Sequence, residues 1–189
     1  LTFLGHGTLM LTFKDTVLHV DPYGKVADYA ALPRADLILL THDHADHLDE
    51  AALALVRTPA TDMILPPVCA DRVQGGLILK NGETRTVRGI TVTAVPAYNL
   101  VHQRGVANGY LRDFGDSLLY VAGDTENTPE MAALKDVDIA FLPMNLPYTM
   151  TPEMVADAAR SFRPRLLYPY HFGDTDPQRL VGLLRDQPD

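Results

Sequence analysis

The run His42-Asp43-His44-Ala45-Asp46-His47 places three imidazoles and two carboxylates within six residues. Neutral imidazole and ionised carboxylate are ligands of divalent transition metals, and such tight spacing gathers several of them around a small volume. Two histidines at i and i+2 can serve one ion while Asp46 and His47 turn toward another. A competing reading makes Asp46 the cap of a following helix, with Asp49 in its first turn. Capping, however, requires no cluster of histidines. Cys69 is the one cysteine, which excludes an internal disulfide and a thiolate cluster, so any metal must be held by histidines and carboxylates.

Further candidate ligands recur in one kind of place, just beyond the C-terminal end of an apolar run. Residues 92–98 lead to Asn99 and His102, residues 118–122 lead to Asp124, and residues 166–170 lead to His171. Taken singly, Asp124 reads equally well as a turn residue after Gly123, and His171 as a hydrogen-bonded core histidine. Taken together they favour a site, because strand ends converge on one edge of a sheet, where loops gather ligands onto a rigid scaffold.

Periodicity and chain breakers outline the elements that must do the positioning. Residues 1–4, 8–13 and 16–20 read as an antiparallel meander, divided by Gly5-His6-Gly7 and Lys14-Asp15. Apolar runs at 37–40, 63–65, 90–95, 110–114, 118–122, 139–142 and 166–168 are short enough to be strands. Thr128-Pro129, Thr151-Pro152 and Asp176-Pro177 each set a capping side chain before a proline, the start signal of a helix. A fourth helix is expected over 47–57. The pattern predicts a single domain over residues 1–189, an α/β arrangement of two packed sheets covered by helices.

The composition, 47% hydrophobic and 21% charged, is that of a soluble globular protein. A net charge of −8 and the lack of a dense basic run argue against nucleic acid as a partner. The apolar runs fall far below the roughly 18 residues of a membrane span. A cytoplasmic protein acting on a small molecule is therefore expected, with homo-oligomerisation left open. The chain opens at Leu1, inside a strand and without methionine, so an earlier segment has room to have been trimmed.

At this point the chain resembles the metallo-β-lactamase superfamily, whose ordered signature is His-x-His-x-Asp-His, then a His, an Asp and a final His, each at a strand end. The match runs over essentially the whole chain. Leu4-Gly5-His6-Gly7-Thr8 and Val20-Asp21-Pro22 are similar to the ascorbate-phosphate lactonase-like branch, which includes N-acyl-phosphatidylethanolamine phospholipase D relatives. The resemblance implies a metallo-β-lactamase-like fold, an αββα sandwich of four layers. It also implies two divalent ions, Zn or Mn first and Ni or Fe next. His42 and His44 would bind the first, Asp46, His47 and His171 the second, and Asp124 would bridge them. One position departs from the commonest pattern: where a third histidine for the first metal is usual, this chain has Tyr98-Asn99-Leu100-Val101-His102, leaving either Asn99 or His102 to close the set, or the first site poorly filled.

His6 and Asp21 are candidates to hold ligands from behind, because metal-bound imidazoles usually donate their other N–H to a carboxylate or carbonyl. A purely structural role in their turns competes with that reading. His19, alternating within a strand, reads as structural. Tyr98, Tyr148 and Tyr170 lie near the site loops as packed aromatics or substrate donors, with Tyr148 the first choice as donor. The implied chemistry is hydrolysis by a metal-activated hydroxide, with Asp46 orienting the water or shuttling its proton. A small ester or lactone is the expected substrate, and a phosphodiester of nucleotide or phospholipid type the alternative. A di-iron redox protein and a metal-free binding module are the non-hydrolytic readings. His44, standing where the di-iron variant usually has Glu, argues against the first of these.

Overall fold

The structure is a computed structural model that describes residues 1–185 of the 189. Its first sheet is built from β1 (Thr2–Gly5), β2 (Thr8–Phe13), β3 (Thr16–Val20), β4 (Leu37–Leu39), β5 (Asp62–Leu65) and β6 (Leu77–Ile78), in that order. β1 to β3 form the expected antiparallel meander, and β3 to β6 run parallel. The second sheet is ordered β12 (Leu166–Tyr170), β11 (Ile139–Pro143), β10 (Leu118–Val121), β9 (Ala107–Asp113), β8 (Ile90–Ala97) and β7 (Thr84–Val87). β10, β11 and β12 are parallel, and β7 to β10 alternate in direction.

The two sheets face each other across a layer that includes Leu9, Leu18, Leu37, Leu39, Ile64, Val92, Tyr110, Val121 and Phe141. Outside the first sheet, Ile38, Leu40 and Met63 pack against Leu48, Ala52, Leu53 and Val56 of α1 (Glu50–Val56) and the turn before it. Outside the second lie α2 (Pro129–Ala132), α3 (Pro152–Phe162) and α4 (Pro177–Leu184), which bury Met131, Val155, Ala156, Phe162 and Leu180 against Tyr120, Ala140 and Leu142. The result is four layers, helix, sheet, sheet, helices. Central strand β4 explains its own sequence: Leu37 and Leu39 face the inter-sheet layer while Ile38 and Leu40 face α1, so a continuous apolar run is required. Burying each such side chain contributes about 2 kcal/mol, which is what makes the start of the ligand loop rigid.

The three Pro-led helices begin where their caps predict, with Thr128, Thr151 and Asp176 each accepting a backbone N–H of the first turn. The remaining helix starts three residues later than the expected 47–57. Asp49 is its cap, accepting from Ala51 and Ala52 N–H, so residues 42–48 stay outside the helix and Asp46 is released from capping. Strands β6 and β7 had no sequence signal of their own. They are short, and six residues long together, with mostly exposed side chains.

Arg112 is an anomaly of the packing. It lies fully buried on the Tyr110 face of β9, and none of its guanidinium nitrogens has a hydrogen-bond partner among the described residues. Burial pulls its pKa down to about 9.

Candidate metal centre

β1, β3 and β4 share one direction, and β8, β10, β11 and β12 share one direction in the facing sheet. The loops that leave their C-terminal ends carry His6, Asp21, residues 41–47, Asn99 with His102, Asp124, Asn145 with Tyr148, and His171. Six of the chain's seven histidines meet there. The seventh, His19, is buried in β3 within hydrogen-bonding distance of Pro33 O, and burial lowers its pKa.

Three overlapping clusters result, in each of which one ligand atom per residue lies within 4.8 Å of the others: His42, His44 and His102; His6, Asp46, His47 and His171; and His42, His47 and Asp124. The last spans the first two. Asp124 Oδ1 is 3.4 Å from His47 Nε2 and 3.5 Å from His171 Nε2, while its Oδ2 is 3.9 Å from His42 Nε2. The two carboxylate oxygens of Asp124 thus face the two groups of histidines.

Asn99 and His102 stand differently in the structure. His102 Nε2 stands 3.2 Å from His44 Nε2, two ring nitrogens converging on one point. Asn99 faces inward on its own loop instead: its Oδ1 accepts from the N–H of Val101 and of His102, and its Nδ2 donates to Asp124 O. Asn99 therefore shapes the turn that presents His102 and ties it to the Asp124 loop.

A line of groups behind the histidines sets their tautomers. Asp21 Oδ2 accepts from Thr41 Oγ1 and His47 Nδ1, and its Oδ1 accepts from Thr41 N–H. With its own proton given to Asp21, Thr41 Oγ1 accepts from His42 Nδ1 at 2.9 Å. In the neutral form of either ring Nε2 is the bare nitrogen, and in both it is turned into the site. Thr41, the residue between strand and motif, was not singled out by its type or spacing. Its role depends on a carboxylate twenty positions earlier.

His6 Nε2 donates to Asp46 Oδ2 at 2.8 Å, and its ring lies 3.7 Å from that of His171. His6 O also accepts His171 N–H, joining the outer strands of the two sheets. His6, Asp21 and His171 all have positive φ, 52°, 44° and 45°, strained for residues with a side chain and held by these contacts. Two of the glycines beside these ligand-bearing turns leave no room for a side chain. A Cβ on Gly7 would sit 2.7 Å from His47 Cε1, and one on Gly123, at φ +68°, would meet Asn108 O at 2.9 Å. Gly123 N–H donates to the hydroxyl of buried Tyr170, so that tyrosine braces the Asp124 turn. Tyr98 does likewise: its N–H and carbonyl pair with Thr125 Oγ1, and its hydroxyl donates to Glu130.

The electrostatics match a cation site. Burial, reinforced by His47, His102 and His44, holds the His42 pKa well below 6.5, so its ring is a neutral donor at pH 7. Burial also depresses His47, but Asp124, Asp21 and Asp46 outweigh it and push His47 up to about 9. His171 and His6 keep the Asp46 carboxyl well below the usual carboxylate range. Buried His42 Nε2, His47 Nε2, His171 Nε2 and Asp124 Oδ1 have no hydrogen-bond partner among the described residues. Four orphaned ligand atoms gathered in one place are costly unless cations satisfy them, and the residues fit two such ions.

Over the cluster opens a cavity of about 350 Å³, lined by His6, His44, Asp46, His102, Asp124 and His171 and by Asn99, Val101, Asn145 and Tyr148. Tyr148 thus lies at the rim, and its hydroxyl has no hydrogen-bond partner among the described residues. Asn145 and Val101 were missed by sequence reading; the ends of β11 and β8 were the available signals. No helix among the described residues is long and apolar enough to cross a membrane.

Residues 1–171 match the family model described as a β-lactamase superfamily domain. The chain is 30% identical to a UPF0173 metal-dependent hydrolase of Thermococcus kodakarensis, over 95% of this chain and 91% of that one. It superposes on the crystal structure of a Parabacteroides distasonis protein, designated a metal-dependent hydrolase, with a TM-score of 0.95 and 46% identity, covering 97% of this chain and 87% of that one. A metallo hydrolase from Ignicoccus hospitalis has the same fold at 24% identity, with a TM-score of 0.82 over 96% of this chain and 91% of that one.

Proposed function

We propose, from the premise that this chain belongs to the metallo-β-lactamase superfamily and within it to the UPF0173 metal-dependent hydrolases, that it cleaves a small ester or lactone at two divalent cations. The observation that carries this reading is the convergence of the orphaned donors on His42, His47, Asp124 and His171. His42, His44 and His102 would hold one ion, Asp46, His47 and His171 the other, with Asp124 between them. Zn and Mn suit this imidazole and carboxylate set. Cations so held would lower the pKa of water and polarise the substrate carbonyl.

The chain's own residues supply the remaining requirements. Thr41 and Asp21 fix the rings of His42 and His47, so the site is organised before any ligand arrives. Asp46, ionised at neutral pH and anchored by His6, accepts a hydrogen bond from the attacking water and orients it. Tyr148 and Asn145, which line the same cavity, are placed to hydrogen-bond the substrate. No serine or cysteine nucleophile is needed, and Cys69 is buried with its thiol pushed up to about 12. The similarity of Leu4-Gly5-His6-Gly7-Thr8 to the lactonase-like branch supports the choice of lactones and esters.

A panel of lactones, esters and phosphodiesters, assayed with Zn and with Mn separately, tests the reading. Turnover of an ester or lactone that is abolished by Asp124→Ala, together with loss of bound metal, is the expected result. Unchanged metal content and hydrolysis in that variant would sink it.

A further inference from the structure

The floor and the walls of the cavity differ in character. The floor is the ligand set, with the carboxylates of Asp46 and Asp124. The walls come from two loops, 99–102 beside His102 and 145–148 beyond β11, which bring Val101 and Tyr148 to the lining. These loops are apolar where loops are ordinarily polar: Leu100 is 85% exposed, Val101 52%, Leu146 54% and Tyr148 53%. Single exposed apolar residues need no explanation, but four of them on the two loops that frame one cavity do.

Charge narrows the substrate further. No lysine or arginine among the described residues lines the cavity. Arg104, the cation nearest in sequence to the loop, is paired with Glu130, which also accepts the Tyr98 hydroxyl. A phosphate group would have only the metal ions to neutralise it, with two carboxylates below and a chain of net charge −8 around them. An uncharged carbonyl compound meets no such penalty, and a cavity of about 350 Å³ is at the small end of ligand sites.

Resting on the hydrolase reading above, we infer that the substrate is an uncharged ester or lactone whose carbonyl carries an alkyl or aryl group, seated between Val101 and Tyr148. Water oxygen adds to the carbonyl carbon and the bond to the alkoxy oxygen breaks. One water proton ends on the alcohol, or on the ring-opened hydroxyl of a lactone. The acid leaves as a carboxylate and releases the second proton, so no oxidant or co-substrate is required.

Two readouts test this on the metal-loaded protein: hydrolysis of 4-nitrophenyl acetate and hexanoate, and binding of acetone and hexan-2-one by ligand-observed NMR. Four added methylenes in a half-exposed seat predict a kcat/KM for hexanoate roughly tenfold or more above that for acetate. The ketone pair, three methylenes apart, should show a preference in the same direction, about fivefold or more in binding. Val101→Ser should reduce both ratios severalfold. A flat or inverted chain-length dependence, or ratios unmoved by Val101→Ser, overturns the inference even if esters are cleaved. If neither ester is cleaved by protein carrying two metals, while hexan-2-one binds in a Val101-dependent way, the apolar seat stands and the esterase reading falls.

Discussion

Asp21 Oδ2 lies 2.8 Å from His47 Nδ1 with both side chains fully buried, and the same carboxylate holds Thr41 through its N–H and its hydroxyl. One acidic residue from the end of β3 therefore holds both the path of the β4 loop and the ring of a histidine in the proposed metal centre. Asp21→Asn keeps the size and tolerates the positive φ, but an amide cannot accept from all three donors. Its metal affinity should fall about 10- to 100-fold with the fold retained, as read by chelator competition and circular dichroism.

The metal-free protein should be most stable near pH 6.5. His47, raised from 6.5 to about 9, stabilises the fold fully below pH 6.5, and this contribution fades as pH rises through about 9. It amounts to roughly 3 kcal/mol. His42 acts oppositely: its depressed pKa makes the folded state resist protonation, so stability is lost as pH falls below 6.5. Thermal unfolding in chelator from pH 5 to 9 should trace a maximum. Metal binding should also tighten as pH approaches 9 and release a proton from His47. A monotonic rise in Tm across that range would contradict the assignment.

His102→Ala and Asn99→Ala should differ in kind. Removing His102 takes a ring nitrogen from beside His44 and should lower bound metal by about one equivalent. Removing Asn99 leaves the ligand and frees the turn, because Val101 and His102 N–H lose their acceptor. Full stoichiometry with weaker affinity is expected, measured by elemental analysis and metal titration.

Arg112→Met should stabilise the protein. The guanidinium is buried with no hydrogen-bond partner among the described residues, and methionine fills similar space with no charge to desolvate. A gain of about 1–3 kcal/mol in denaturant unfolding is expected.

Much of this protein was legible in the sequence because the relevant signals are local. The meander follows from alternation and the breakers at Gly5-His6-Gly7 and Lys14-Asp15. The starts of α2, α3 and α4 follow from a capping side chain before proline, and the doubly buried β4 from its unbroken apolar run. The ligand types of the cluster from His42 to His47, and the positions of Asp124 and His171 at strand ends, were readable on the same terms. Tertiary structure decided what depends on distant partners. Asn99 and His102 are equivalent candidates by spacing, and only the fold shows Asn99 Oδ1 occupied by its own loop while His102 turns to His44. Thr41, Asn145 and Val101 carry no motif, and their parts were set by a carboxylate from β3 and by two loops from different strands. Helix α1 begins at Glu50 because Asp49 captures the free N–H groups. Residue type and local spacing limit which atoms are able to bind; which lone pairs are left bare, and where they meet, is set by long-range hydrogen bonding and the convergence of strand ends.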